Sequence, residues 1–316
     1  MDPASTGDDG SSRPTRVAIA PAPDDHIAAA VSSAGGEVVT DLADAEVLVW
    51  LGGEVDFPRD LGDDIRWVAL RLAGIEAFLA AGIVDDRRIW TNASGFYAEN
   101  VAEHALALLL AGLHRIPDAV RDGWDKDRVD TAVRQLHGAT VGIVGAGGIG
   151  RALIPRLIAC GADVIAVTAS GRTVDGARAT LPSDRLPELW SQVDHVVVAA
   201  PSTPETRHLV DAAALRALPT HAWVVNVARG TLIDQGSLLE AVRSGEIAGA
   251  ALDVTDPEPP DADDPILHEP RIVVTPHVAN PASGLTRTLA PWVAENLRRF
   301  RAGTPLLSTV RPDSSY

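Results

Sequence analysis

"TVGIVGAGGIG", residues 140–150, decides how the rest of the chain is read. An apolar run breaks into glycines at 145, 147 and 150, and a helical pattern, "RALIPRLIAC", follows. Strand, tight turn and helix in that order are the context that a dinucleotide-binding loop requires. Gly145 permits the turn, Gly147 lets backbone approach a pyrophosphate, and Gly150 lets helix and strand pack closely. Gly148 and Ile149 open the helix, whose free N–H groups meet negative charge. Pro155 falls in the second turn of that helix, where it removes a hydrogen bond or bends the axis.

The next strand, "ADVIAVTASGR" at 162–172, tests which dinucleotide fits. A carboxylate for the adenosine ribose is expected about 20 residues on, yet Thr168 stands there, eighteen residues past Gly150. Asp163 opens the strand and so belongs to the other edge of the sheet. A carboxylate at 168 would repel an extra phosphate by roughly a few kcal/mol. Its absence, with Ser170 and Arg172 following, favours NADP, because a guanidinium holds phosphate through a fork of donors. The alternative is NAD with a weaker ribose contact, which leaves Arg172 a surface charge.

Outward from the glycine loop the chain alternates strand and helix signals. Upstream, "RVAIA", "AEVLVWLG", "IRWVALR" and "RIWTNAS" read as strands, with helices through "DDHIAAAVSSAGG" and "GIEAFLAAG". They predict a small parallel α/β unit ending near residue 95. "NVAEHALALLLAGLHRI" is a long helix, apolar on most faces, and "RDGWDKDRVD" a charged connection after it. Downstream, "DVIAV", "HVVVAAP", "HAWVVNVARG", "IAGAALDV" and "RIVVTPH" raise the strand candidates of the second run to six, the pattern of a doubly wound sheet.

Bulk properties narrow the class. With 316 residues there is room for two ordinary domains, and a hydrophobic share of 46% excludes a disordered protein. A formal charge of −16 argues against nucleic acid or membrane as partner, and no apolar run is long enough to cross a bilayer. "MDPASTGDDGSSRPT", residues 1–15, lacks both an apolar core and a basic face, and reads as a disordered tail on a cytoplasmic protein. The single Cys160 excludes a disulfide framework or a Cys-based metal cluster. His104 and His114 flank an apolar helix without an HExxH arrangement, so no metal is expected.

In an open parallel sheet, ligands gather beyond the carboxyl ends of the strands. "HAWVVNVARG" ends on Arg229, "AGAALDVTDPEP" runs into Glu258, and "RIVVTPH" ends on His277. These three suit reduction of a 2-oxo acid. Arg229 binds the carboxylate and polarises the carbonyl. His277 gives a proton to the developing alkoxide, or takes one in the reverse direction. Glu258, bonded to the imidazole, favours its charged form and fixes its orientation.

The set of motifs resembles the D-isomer-specific 2-hydroxyacid dehydrogenases: "NVAEHALALLL", "VGIVGAGGIG", "PSTPETRHLV", "VVNVARG", "GAALDVTDPEP" and "TPHVA" match that family's landmarks in order, from about residue 60 to 300. The resemblance implies an α/β protein of two parallel-sheet lobes. Residues 98–282 would form a Rossmann NAD(P)-binding domain, and 16–97 with 283–316 a smaller flavodoxin-like substrate domain. It implies catalytic roles for Arg229, Glu258 and His277, of which Arg229 and His277 also border the cofactor. Further cofactor contacts are implied around Ala200, Pro201 and Thr206, at Val227 and Ala228, and at Asp253. Ala73, Gly74 and Ile75 resemble the segment whose amides hold the substrate carboxylate. A homodimer is implied, with the "VAEHALALLL" region at its interface. Gly148, where many members carry a basic or polar residue, Thr168 in place of Asp, and Asn280 depart from the pattern.

Two functions are compatible with these residues: a reductase of small 2-oxo acids, or a catalytically silent dinucleotide sensor like the corepressors that share the fold. Strong acidity without a basic arm favours the enzyme.

Overall fold

The computed structural model describes residues 13–281 and 283–313, so most of the expected N-terminal tail lies outside the described residues. The chain divides into two units, one running to Ser94 and resuming at Gly284, the other Gly95–Ser283. In the first, strands Thr15–Ala20 (β1), Gly36–Val39 (β2), Val47–Trp50 (β3), Trp67–Leu70 (β4) and Ile89–Thr91 (β5) pair in parallel. Every residue of β3 and β4 is buried, as unbroken apolar runs such as "VLVW" and "WVAL" require of central strands. Helix α1, Asp25–Ser33, starts where the Asp24 carboxylate accepts the His26 and Ile27 amides at 2.9 and 3.0 Å. Helix α2, Glu76–Ala80, is a single short turn.

The second unit opens with α3, Ala98–Leu113. It buries one face rather than most of its circumference: Val101, Ala105, Leu108 and Leu109 point in, while Glu99, Glu103 and Ala107 are exposed. Its Gly112 lies so close to the Trp223 ring that a Cβ would sit 2.3 Å from it. The segment expected as a charged connection carries two short helices, α4 (Ile116–Asp122) and α5 (Lys126–Ala132). Asp125 caps α5 through the Arg128 amide, a local bond that charge counting alone overlooks.

From there the chain lays down β6 (Thr140–Val144), α6 (Gly148–Ala159), β7 (Asp163–Thr168), β8 (Ala179–Pro182), β9 (His195–Val198), α7 (Ala212–Ala217), β10 (Trp223–Asn226), α8 (Gln235–Ser244), β11 (Gly249–Leu252) and β12 (Ile272–Val274). All seven strands are parallel, in the order β12-β11-β10-β9-β6-β7-β8. This is the doubly wound arrangement, with β8 added to the six strands anticipated. β8 is an edge strand of sequence "ATLP" with one buried residue, too little apolar signal to read. The strand order reverses between β6 and β9, which opens a crevice at their carboxyl ends. Pro155 does not end α6, which continues past it to Ala159 with the proline on the exposed face.

The chain then returns to the first unit. Helix α9, Leu285–Ala302, packs on α1, with Leu297 closing over Gly36. Strand β13, Thr309–Val310, pairs antiparallel with β5, giving the order β13-β5-β4-β3-β1-β2.

Candidate active site

The glycine loop has the geometry that its sequence requires. Gly145 adopts φ +92°, and a Cβ there would lie 2.4 Å from the backbone of Ala200 at the end of β9. A Cβ on Gly150 would touch Ile143 at 3.0 Å and the Gly145 carbonyl at 3.2 Å, so helix and strand are in direct contact. Around Gly147 there is nothing within 4 Å, so the space above its backbone is open. Gly147 is the N-cap of α6 and no side chain caps that end, which leaves the amides of Gly148, Ile149 and Gly150 at an electropositive helix terminus.

A pocket of about 300 Å³ continues from this loop, lined by Gly145, Ala146, Gly147, Arg151, Thr168, Ala169, Ser170, Arg172, Ala199 and Pro201. Two of these residues are arginines and none is acidic, in a chain of net charge −16. The Thr168 hydroxyl is buried there without a hydrogen-bond partner among the described residues. A buried polar atom left unpaired is unfavourable unless something binds it. The residues present therefore fit the adenosine phosphate end of a dinucleotide. Arg151, on the first turn of α6, was missed in reading the sequence, where only the glycines of that turn carried a signal.

Beyond β9, Thr206 folds the loop that begins at Pro201: its hydroxyl donates to the Pro201 carbonyl at 2.8 Å and receives the Thr203 amide at 2.7 Å. Val227 and Ala228 are buried at the end of β10. There Asn226, 1% exposed, wraps the turn, with its amide donating to the Arg229 carbonyl at 2.9 Å and its oxygen accepting the Ala228 N–H at 3.0 Å. Arg229 emerges in extended backbone and donates from Nη1 to the Ala228 carbonyl at 2.8 Å. The next residue, Gly230, packs against the loop after β11; a Cβ would lie 1.9 Å from the Thr255 carbonyl oxygen. That contact brings the Arg229 turn beside the loop that bears Glu258. Gln235 steadies the same loop by accepting the Asp256 amide at 3.1 Å.

His277 Nδ1 lies 2.6 Å from Glu258 Oε1, and both side chains are accessible. A carboxylate only accepts, so Nδ1 carries the hydrogen and Nε2 is left to face a ligand. The His277 backbone has φ +50°, a conformation non-glycine residues adopt only under constraint. The constraint is Asp253. Its carbonyl accepts the His277 amide at 2.9 Å, and its carboxylate accepts the Val278 and Ala279 amides at 2.9 and 3.0 Å and the Thr275 hydroxyl at 2.6 Å. Asp253, expected as a cofactor contact, is 1% exposed beneath this turn. Asn280 accepts from Asn100 of α3 at 3.1 Å. In the first unit, Asn92 donates to the Ala73 carbonyl, and Gly74 and Ile75 lead into α2. Ile75 is fully buried, so only its backbone is on offer to a ligand. Among the described residues no group of three or more His, Cys, Asp or Glu is arranged to hold a metal ion, and no helix is long and apolar enough to cross a membrane.

Residues 104–279 match the family described as D-isomer specific 2-hydroxyacid dehydrogenase, NAD binding domain. A relative from Corynebacterium melassecola, an uncharacterized protein, is 36% identical over 291 residues, covering 91% of this chain and 95% of its own. Among solved structures, a D-isomer specific 2-hydroxyacid dehydrogenase from Xanthobacter autotrophicus in complex with NADPH and MES superposes with a TM-score of 0.80 at 28% identity, covering 96% of this chain and 100% of that one. An NADPH-dependent glyoxylate/hydroxypyruvate reductase from Sinorhizobium meliloti, in complex with NADP and sulfate, gives 0.79 at 26% identity, with coverage of 96% and 100%. The chain spans about half the length of D-3-phosphoglycerate dehydrogenases that it also matches.

Proposed function

Since the chain belongs to the D-isomer-specific 2-hydroxyacid dehydrogenases, NAD(P)-dependent oxidoreductases acting on CH–OH groups, we propose that it reduces a small 2-oxo acid to the D-2-hydroxy acid, with His277, Glu258 and Arg229 as its catalytic residues. The observation that carries this is the 2.6 Å contact between His277 Nδ1 and Glu258 Oε1 at the sheet edge from which Arg229 also emerges. The bound nicotinamide dinucleotide supplies the hydride. Arg229 holds the substrate carboxylate and draws charge from the carbonyl oxygen as the carbon is attacked. Protonated His277 gives the Nε2 proton to the alkoxide, completing the alcohol, and Glu258 stabilises the imidazolium before transfer and keeps the ring aimed. In the reverse direction neutral Nε2 takes the hydroxyl proton. The backbone of Ala73, Gly74 and Ile75 is assigned to the substrate carboxylate by the family resemblance.

NADP is the preferred cofactor in this reading, and NAD the alternative. Arg172, Arg151, Ser170 and the unpartnered Thr168 hydroxyl line the adenosine pocket, and no carboxylate there opposes a 2′-phosphate. The pyrophosphate is assigned to Gly145, Gly147, Gly148, Ile149 and Gly150, and the nicotinamide half to Ala200, Pro201, Thr206, Val227, Ala228, Arg229 and His277. Asp253 serves that end from beneath, through the turn it holds. A homodimer in the cytoplasm completes the proposal. Ile116, Val120 and Trp124 are 51, 80 and 97% exposed just beyond α3, three apolar side chains close in sequence that a second subunit would cover.

The test is to mix protein, NADPH or NADH, and a panel including glyoxylate and hydroxypyruvate, following nicotinamide absorbance. Oxidation of the cofactor with one or more 2-oxo acids is expected, faster with NADPH at low concentration. Cofactor binding without turnover of any acid would contradict the reading.

A further inference from the structure

We propose that His104 of α3 is a positioning residue for His277, acting through Asp253 and Thr275; this rests on the catalytic role given to His277. Three side chains meet under the 275–279 turn. His104 Nε2 lies 3.2 Å from Asp253 Oδ1 and 3.1 Å from Thr275 Oγ1. The Thr275 hydroxyl itself donates to Asp253 Oδ1. A carboxylate has no hydrogen to give, and the hydroxyl hydrogen is committed to it, so the hydrogen between them and the imidazole belongs to His104 Nε2. His104 therefore donates to the Thr275 hydroxyl, which passes its own hydrogen to Asp253 Oδ1, and the ring stands at ion-pair distance from that same oxygen.

Asp253 accounts for why this matters. Its two oxygens receive the Val278 and Ala279 amides and the Thr275 hydroxyl, and its carbonyl receives the His277 amide. A carboxylate that is 1% exposed keeps its position only with enough donors around it. His104 supports this network from another element, through the Thr275 hydroxyl, and it stands on a 16-residue helix packed against β10 and β11. Asn100, one helical turn earlier on the same face, reaches Asn280 just past the turn. The helix thus grips both ends of a segment whose middle residue sits at positive φ. Without the His104 donor, the carboxylate loses hold of the turn, and the imidazole loses its aim while the cofactor pocket on α6 and β7 is untouched.

The experiment compares His104→Leu, His104→Gln and Thr275→Val with the wild type. Glutamine keeps an N–H donor near the place of Nε2; leucine does not. The His104→Leu and Thr275→Val variants should lower kcat about tenfold or more, with NADPH affinity and substrate KM within about twofold, and should speed amide exchange at Val278 and Ala279 by about tenfold. His104→Gln should recover most of kcat and of the exchange protection. Exchange is read without substrate, so it decides this proposal even if the wild type reduces no 2-oxo acid, an outcome that would count against the proposed function alone. Wild-type exchange at Val278 and Ala279 in both His104→Leu and Thr275→Val overturns the proposal. So does a His104→Gln protein that falls as far as His104→Leu, because the donor would then not be what matters.

Discussion

The two edges of the seven-stranded sheet each carry a histidine–carboxylate pair, and they differ in nearly everything but that contact. At the amino ends of β9 and β10, His221 Nε2 meets Asp194 Oδ1 at 2.9 Å, while the other oxygen of Asp194 accepts the Thr140 amide at 2.7 Å. Burial pushes the Asp194 carboxyl up, but the Thr140 amide and the His221 and His195 rings outweigh it and hold it below its ordinary range. His195 beside it is buried and accepts the Trp223 amide on Nδ1, so it stays neutral, its pKa lowered to about 4 by desolvation. This pair ties strand starts together. At the carboxyl edge, Glu258 and His277 sit on loops, both accessible, one at positive φ, beside an arginine turn and downstream of a glycine loop. A histidine–carboxylate contact therefore says little alone; the strand end on which it sits says most.

Removing the carboxylate from each pair should separate the two edges by the largest effect. Glu258→Gln should lower kcat by roughly 10²-fold, whereas Asp194→Asn should leave kcat within about twofold and lower the unfolding midpoint in urea. Equal kinetic effects would erase the distinction drawn between the two edges.

The buried His195 gives the amino edge its own signature in pH. Unfolded, the ring takes up a proton near 6.5; folded, it resists until about 4. Stability is therefore full above the higher value, falls as pH drops through the window, and loses nothing more from this group below it. Over that window the loss is about 3 kcal/mol. Urea titrations at several pH values should show it, and His195→Asn, which keeps an acceptor for Trp223, should show a loss smaller by about that amount.

Between the edges in effect lies Gly230. Its replacement by alanine forces a methyl group into the Thr255 carbonyl, and about 2 kcal/mol of stability should go with it. Turnover should fall as well, because the displaced loop carries Glu258; an unchanged kcat would separate the Arg229 turn from that loop. The smallest effect concerns the adenosine pocket. Arg172→Ala should weaken NADPH about tenfold and NADH less than about twofold, as read by titration of protein fluorescence, and equal losses would remove the phosphate contact.

The glycine loop and the strand ends were legible because backbone geometry imposes residue type there: Gly145 and Gly150 have backbone or side chains where a Cβ would be. Strands β3, β4 and β6 were legible as continuous apolar runs. The edge strands β2, β8 and β13 were not, being short and half exposed, so that pairing rather than composition makes them strands. The positive φ of His277 is invisible in "TPHVA", since no glycine marks it. Its cause, Asp253 just past β11, is 24 residues away, and the His104 of α3 that stands behind Asp253 is 173 residues away; they become neighbours only in the fold. Asn226 did leave a trace: an amide interrupting "VVNVARG" at a strand end needs something to bond, and the turn before Arg229 is what it bonds.

Single-turnover mixing of His277→Ala, already loaded with NADPH, against a 2-oxo acid that the wild type reduces tests the central assignment most directly. Cofactor affinity should stay within about twofold of wild type while the hydride-transfer rate falls by about 10²- to 10⁴-fold. Transfer at the wild-type rate would contradict the assignment.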